Sequence, residues 1–179
     1  MPRAFELIRP SEDEWELVRE LRLRMVLDTP IAFLETPEQV RAIDEADWRA
    51  RIARSRGDRN TRYVAVAPDG TWVGSMSAFL SDGEPSYLAD AKPGPPRANL
   101  VGVFVDAGWR GDAGVADALL AAVCDWVRRE GLDRLYLHVG DVNARARRYY
   151  AKTGFVETGV VAAIPEQPGT GEVEMVLDL

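Results

Sequence analysis

The stretch Trp109–Leu120, "WRGDAGVADALL", joins an arginine, two glycines and small residues to an apolar run of helical period. It follows Asn99–Val105, "NLVGVFV", an apolar segment bounded by turn signals that reads as a fully buried strand. A strand, a glycine-bearing loop and a helix start together make a place for an anion. The first amides of a helix have no intrahelical acceptor, and the helix dipole adds about half a positive charge there. Gly111 and Gly114 would let the backbone approach a phosphate closely. No Gly-Lys-Ser/Thr follows, as an ATP loop requires, and the Gly-x-Gly-x-x-Gly dinucleotide spacing is missing too. On its own spacing the loop is either a phosphate cradle or a packing turn. Asp112, in its middle, is a good N-cap for a helix starting at Ala113, and as a cap it competes for the amides a phosphate needs.

A second tract shares this chemistry. Asn143–Lys152, "NARARRYYAK", holds four basic residues (Arg145, Arg147, Arg148, Lys152) and no acid. It is either a solvated helix face or a basic face beside a phosphate-bearing ligand. Read on to Phe155, N-A-R-A-R-R-Y-Y-A-K-T-G-F resembles the Asn-x-x-Ala-x-x-Leu-Tyr-x-x-x-Gly-Phe signature of the GNAT superfamily of N-acetyltransferases. Asn143, Ala146, Tyr150, Gly154 and Phe155 fall in register, and Tyr149 replaces the usual leucine. Upstream, "VFVDAGWRGDAGVADALLAAV" is similar to that superfamily's acetyl-CoA segment, and "LRLRMVLDTPIAFLETPEQ" to its first helix and substrate loop. The resemblance runs over essentially the whole chain. It departs at one point: the family's Arg or Gln lies three residues before the glycine, whereas Arg110 lies four before Gly114 and Gly111 takes the expected place.

The resemblance implies an α/β fold. A central mixed, mostly antiparallel sheet of about seven strands with one parallel pair is flanked by about four helices, in a single domain over residues 1–179. It implies acetyl-CoA as co-substrate, no metal, and an amine acceptor not named by the sequence. The strand end Val103, Phe104 and Val105 would bind the pantetheine arm through main-chain groups. Arg110, Gly111, Asp112, Ala113, Gly114, Val115 and Ala116 would hold the pyrophosphate on backbone amides, and Asn143 would contact the cofactor near its pantetheine. Tyr150 takes the general-acid position: an amine attacks the thioester, a thiolate leaves, and a placed hydroxyl can protonate it. The adjacent Tyr149 leaves open which hydroxyl faces the sulfur. For the general base, Glu84, Asp106, Glu172 and Glu174 all stand open. The rival expectation is a degenerate member that binds CoA, or serves as an interaction module, without catalysis. A homodimer is expected by analogy alone.

The positioning elements read as follows. Ala4–Arg9 alternates as a strand, and Ser11 with Glu14 forms a capping box for a helix bearing Trp15, Val18, Leu21 and Met25 on one face, with Leu17 beside them. Thr36, Pro37 and Gln39 open a second helix running to about Arg54–Gly57. Tyr63–Val66 and Trp72–Leu80 flank a Pro-Asp-Gly turn as a hairpin. Ser81–Ala98, rich in Pro and Gly, reads as a long surface loop. Val115, Ala118, Leu119, Ala122, Val123, Trp126 and Val127 make one stripe of a crossover helix, so Asn99–Val105 and Asp133–Val139 should be parallel neighbours. Two further strands follow a helix over the basic tract.

Composition excludes other classes. A net charge of −7 disfavours nucleic acid as a partner. Apolar runs fall far short of a membrane span, and the N-terminus lacks an apolar signal core, so a cytoplasmic protein is expected. A single cysteine, Cys124, and a single histidine, His138, exclude cysteine- or histidine-rich metal sites. His138 reads as a packed or hydrogen-bonded strand residue, Cys124 as a small hydrophobe. Leu27–Thr36 and Ser81–Ala98 are expected to form the acceptor site, where Asp28, Glu35, Asp82, Glu84 and Asp90 suggest a cationic amine.

Overall fold

The computed structural model describes residues 4–88, 90–111, 114–163 and 171–179. The elements run β1 (Glu6–Ile8), α1 (Trp15–Asp28), α2 (Pro37–Ala42), α3 (Glu45–Arg54), β2 (Asn60–Val66), β3 (Trp72–Gly83) and β4 (Pro93–Val105). They continue with α4 (Val115–Arg129), β5 (Arg134–Gly140), α5 (Ala144–Lys152), β6 (Val156–Ala163) and β7 (Gly171–Asp178). The strands form one seven-stranded sheet in the order β1-β2-β3-β4-β5-β7-β6. Among the described residues β4 and β5 are the parallel pair, and every other ladder is antiparallel. The expected mixed sheet is therefore present.

Five α-helices flank the sheet among the described residues, where about four were expected. The extra one arises because the run after Thr36 breaks. Ile43 takes extended backbone (φ −71°, ψ 125°), and Asp44 caps a new helix by accepting the Asp47 N–H at 2.8 Å. The Thr36–Gln39 box forms as read, while the Ser11–Glu14 box caps a single 3-10 turn ahead of α1. Along α1, Val18, Leu21, Met25 and Val26 are buried, but Leu17 is 41% exposed.

The Pro/Gly-rich stretch after Leu80 is a larger correction. It is mostly strand: β3 runs on to Gly83 and β4 starts at Pro93, with Ser81 opposite Arg97 and Asp82 opposite Pro96. Proline is tolerated because β5 joins β4 only from Ala98 onward, which leaves 93–96 on a sheet edge where no amide is needed on the outer side.

The apolar residues sort onto the two faces. On one, Leu119, Val123 and Val127 of α4 pack with Leu135, Leu137 and Met175; on the other, Val26, Trp48 and Ile52 pack with Val64, Trp72 and Phe104. Gly74 on β3 lets the start of α4 approach the sheet, since a Cβ there would lie 3.0 Å from Val115 Cγ1 and 3.2 Å from Leu119 Cδ1.

Candidate active site

The parallel ladder between β4 and β5 holds two pairs, Ala98 with Leu135 and Asn99 with Tyr136. Beyond them the two strands share no ladder. Val101, Gly102 and Val103 are consequently half-buried, although their apolar run reads as fully buried. On the β3 side the register passes from Ser75 opposite Phe104 to Ser77 opposite Val101, so Gly102 and Val103 together face Met76 in a bulge. Gly102 takes φ 61° to make it, a left-handed conformation that a side chain would strain. A cavity of about 900 Å³ occupies the opening. Val103, Phe104 and Val105 line it, as do Arg110, Gly111, Gly114, Ala116, Asn143, Tyr149 and Tyr150.

The loop into α4 differs in detail from its sequence reading. Gly114 holds φ 73°, outside the helical region, so the helix starts at Val115 rather than Ala113. Asp112 and Ala113 lie outside the described residues. The first in-helix bond is Ala118 N–H to the Gly114 carbonyl, so the amides of Val115, Ala116 and Asp117 precede the ladder and have no acceptor within it. Arg110 is occupied: its Nε donates to the Val105 carbonyl at 2.7 Å and its Nη2 to Asp28 Oδ2 at 2.6 Å.

Asn143 caps α5 by accepting the Ala146 N–H on Oδ1 at 3.2 Å. One helix turn on, the two tyrosines separate. Tyr150 is buried against Phe155 with ring centroids 5.5 Å apart, and among the described residues its hydroxyl makes no hydrogen bond. Burial, and secondarily the nearby Glu172 charge, raises its pKa and keeps the phenol protonated. Tyr149 leans toward α4, its hydroxyl 3.4 Å from Asp117 Oδ1. Burial first, then Asp117, raises its pKa as well.

The four acids open as bases part company. Asp106 is bound by Arg24. Glu84 accepts the Lys92 amide at the β3–β4 turn. Glu174 is held by Arg97 at 2.5 Å and by the Thr158 hydroxyl at 2.9 Å, with His138 Nε2 at 3.5 Å, a distance long for a hydrogen bond. Burial works against its ionisation, but His138, Arg97 and Thr158 together pull its pKa down to about 2. Glu172 alone of the four lines the cavity. Burial raises its pKa, partly opposed by His138 and assisted by Asp141. His138 is enclosed as expected, with Nδ1 3.2 Å from the Tyr87 hydroxyl, and Tyr87 also lines the cavity.

At the other end of the cavity lie Arg22, Glu35, Arg51 and Arg62. Glu35 receives Arg22 Nε and Arg51 Nη1, each at 2.8 Å, and these bonds outweigh its burial to lower its pKa. Arg62 donates Nε to Ser77 Oγ at 3.3 Å, and among the described residues it has no ion pair. No spacing in the sequence marks Tyr87 or these arginines, because they come from four different segments.

The acidic residues read as a cationic-amine site are largely spent on neighbours. Asp28 binds Arg110, Glu35 binds two arginines, Asp82 binds Arg59 at 3.0 Å, and Glu84 binds backbone. Cys124 is buried, and burial raises its thiol pKa. Among the described residues no His, Cys, Asp and Glu group could hold a metal, and no helix is long and apolar enough to cross a membrane.

A sheet splayed beside a glycine loop and a helix start is the architecture the motifs imply. The model of the acetyltransferase (GNAT) family matches residues 23–155, and the chain belongs to that family. It is 29% identical over 175 residues to a mycothiol acetyltransferase of Beutenbergia cavernae, covering 87% of this chain and 59% of that protein. It is 33% identical over 143 residues to a mycothiol acetyltransferase of Frankia casuarinae, covering 78% of this chain and 40% of that one. The chain thus spans about three fifths or less of the length of these curated relatives. Among solved structures, the PaiA N-acetyltransferase of Thermoplasma acidophilum in complex with coenzyme A shares the fold at a TM-score of 0.70 and 16% identity, covering 98% of this chain and 99% of that one.

Proposed function

We propose that this chain is an acetyl-CoA-dependent N-acetyltransferase that acts on a primary amine by direct attack. The observation that carries the reading is the two-pair ladder between β4 and β5, which leaves the Val101–Val105 edge open on a cavity lined by Tyr150, whose hydroxyl is unbonded among the described residues. Coenzyme A in the PaiA complex, and acetyltransfer in the curated relatives' names, support the same co-substrate. The residues fit it. Val103 offers main-chain groups to a pantetheine arm, the Val115–Asp117 amides suit a pyrophosphate, and Arg110 braces the loop against Asp28 and Val105.

In the reaction, Glu172 takes a proton from the ammonium, and the free amine nitrogen bonds to the thioester carbonyl carbon. Amides at the β4 bulge steady the oxyanion. The carbon–sulfur bond then breaks, the Tyr150 phenol gives its proton to the departing sulfur, and the nitrogen, now an amide, sheds its second proton, which restores the phenol. A raised Glu172 pKa makes it a stronger base, and a protonated Tyr150 is the form an acid requires. A single domain, a cytoplasmic location and a homodimer complete the proposal, carried by the family alone. The test is incubation with acetyl-CoA and a panel of amines while free thiol is followed, with calorimetry of CoA binding alongside. Thiol release that depends on an amine is expected; the absence of both CoA binding and thiol release would refute the proposal.

A further inference from the structure

Arg62 is a charged group in the wrong surroundings for one left alone. It is half-buried on β2, lines the cavity, and among the described residues has one hydrogen bond, from Nε to Ser77 Oγ. A guanidinium carries five N–H donors, and charged side chains enclosed by protein are almost always paired. Glu35, the acid whose charge acts on it, does not serve it. Both Glu35 oxygens already bind Arg22 and Arg51, which are fixed in turn over the rings of Phe33 at 4.8 Å and Trp48 at 5.3 Å. This corner of the cavity therefore sets three guanidiniums against one carboxylate, which only two of them bind, and it holds excess positive charge. Burial, and after it the fields of Arg22 and Arg51, lower the Arg62 pKa to about 10, still well above neutrality, so the charge persists.

The sheet register sets the distance from this charge to the opening. Arg62 is opposite Ser77, and Ser77 is opposite Val101 on the free edge of β4. Two strand spacings, about 10 Å between backbones, separate Arg62 from that edge. The Arg62–Ser77 bond directs the side chain across that interval, where Arg62, Ser77 and Val101 all line the cavity. Gly102 borders the interval: a Cβ there would meet Ser77 Oγ at 3.6 Å and Met25 Cε at 3.9 Å, ordinary contact distances, so its φ of 61° rather than crowding favours glycine.

We infer that Arg62, backed by the Arg22–Glu35–Arg51 triad, binds an anionic group of the acceptor, so the substrate is a small amine that also carries a carboxylate or another oxyanion. This rests on the acetyltransferase reading and narrows its substrate class. The guanidinium fork pairs with planar or tetrahedral oxyanions in two-point contacts, while a polyamine would meet three like charges. The amine end then lies toward Glu172 and Tyr150, where the acetyl group is transferred.

The test compares common amino acids with their amides, their decarboxylated amines and their aminophosphonate analogues as acceptors, in wild type and Arg62→Met. The acids are expected to be acetylated at least tenfold more efficiently than their amides. Arg62→Met should raise KM for them by about ten- to hundredfold, the worth of a charged hydrogen bond. kcat should change little, because the contact is made equally before and during reaction. Arg62→Lys, keeping the charge without the fork, should fall between. Carboxylate and phosphonate arms identify which oxyanion is preferred. Equal turnover of acids and amides, or an Arg62→Met preference like wild type, overturns the inference. If CoA neither binds nor turns over, the acetyltransferase reading fails. The Arg62 anion site is then judged by calorimetry of the same acids with wild type and Arg62→Met, where equal heats overturn it.

Discussion

Arg110 ties the end of one element to the end of another. From a single guanidinium it grips the last carbonyl of β4, at Val105, and the carboxylate of Asp28 at the close of α1. Asp28 accepts it with a pKa lowered by Thr29, Arg110 and Arg145 in spite of some burial. Arg110 therefore acts as a clamp on the loop whose backbone amides are proposed to hold the pyrophosphate.

Arg110→Met should then cost mainly stability, about 1–3 kcal/mol for a charged hydrogen-bonded group. A melting curve should show Tm falling by roughly 2–4 °C per kcal/mol in a chain of this size. An unchanged Tm with CoA affinity at least tenfold weaker would instead put the guanidinium on the phosphates.

Tyr150→Phe removes the proposed acid and leaves the packing against Phe155 intact. We expect kcat to fall about 10²- to 10⁴-fold with Tm preserved. Tyr149→Phe, which breaks only the long contact with Asp117, should leave most activity. Reversed effects would transfer the role to Tyr149.

Glu172→Gln should lower kcat/KM by a factor of about 10²–10⁴ and abolish the acid limb of its pH profile. That limb lies above the ordinary carboxylate value of 4.5, because the folded-state pKa is raised. The stability sign is opposite. Ionised Glu172 is disfavoured in the fold, so at neutral pH the amide should melt higher than wild type. A profile unaltered by the substitution would remove Glu172 from the reaction.

Glu174 works in the other direction. Its pKa falls from 4.5 to about 2 on folding, so the stabilisation is full above pH 4.5 and is lost as pH drops from there toward 2. Thermal melts should show Tm declining across that window in wild type. In Glu174→Gln the decline should be shallower, from a start about 3–5 kcal/mol less stable, because Arg97 is left enclosed without its partner. Parallel acid profiles would assign the loss to other carboxylates.

The sequence carried the frame of this site better than its lining. The stripe of α4 and the crossover from β4 to β5 are periodic and local, so both are legible, as is the Thr36–Gln39 box. Asn143 and Tyr150 are singled out by their resemblance to the family signature, which is legible because one short helix and its cap hold them both. The break at Asp44 is hidden, since an aspartate inside an apolar-periodic run looks like surface until its side chain turns back to cap Asp47. The Pro-rich arm of β4 reads as loop because proline's tolerance depends on which neighbour is missing, a tertiary fact. The Arg22–Glu35–Arg51 triad and Arg62 have no local pattern: the fold alone brings α1, α3 and β2 to one corner.

A sheet joined across its middle by two residue pairs has a seam. On one side lie β1 to β4, on the other β5, β7 and β6, and chiefly α4 bridges them, its stripe resting on residues from both. A ligand bound along that seam would supply the missing rungs, so occupancy and cohesion would rise together. At a hundred times its Kd such a ligand adds about 2.7 kcal/mol to the folded state. Amide exchange along Val101–Val105 and Leu137–Gly140 should slow when coenzyme A is added, with the product's departure unfastening the two halves again.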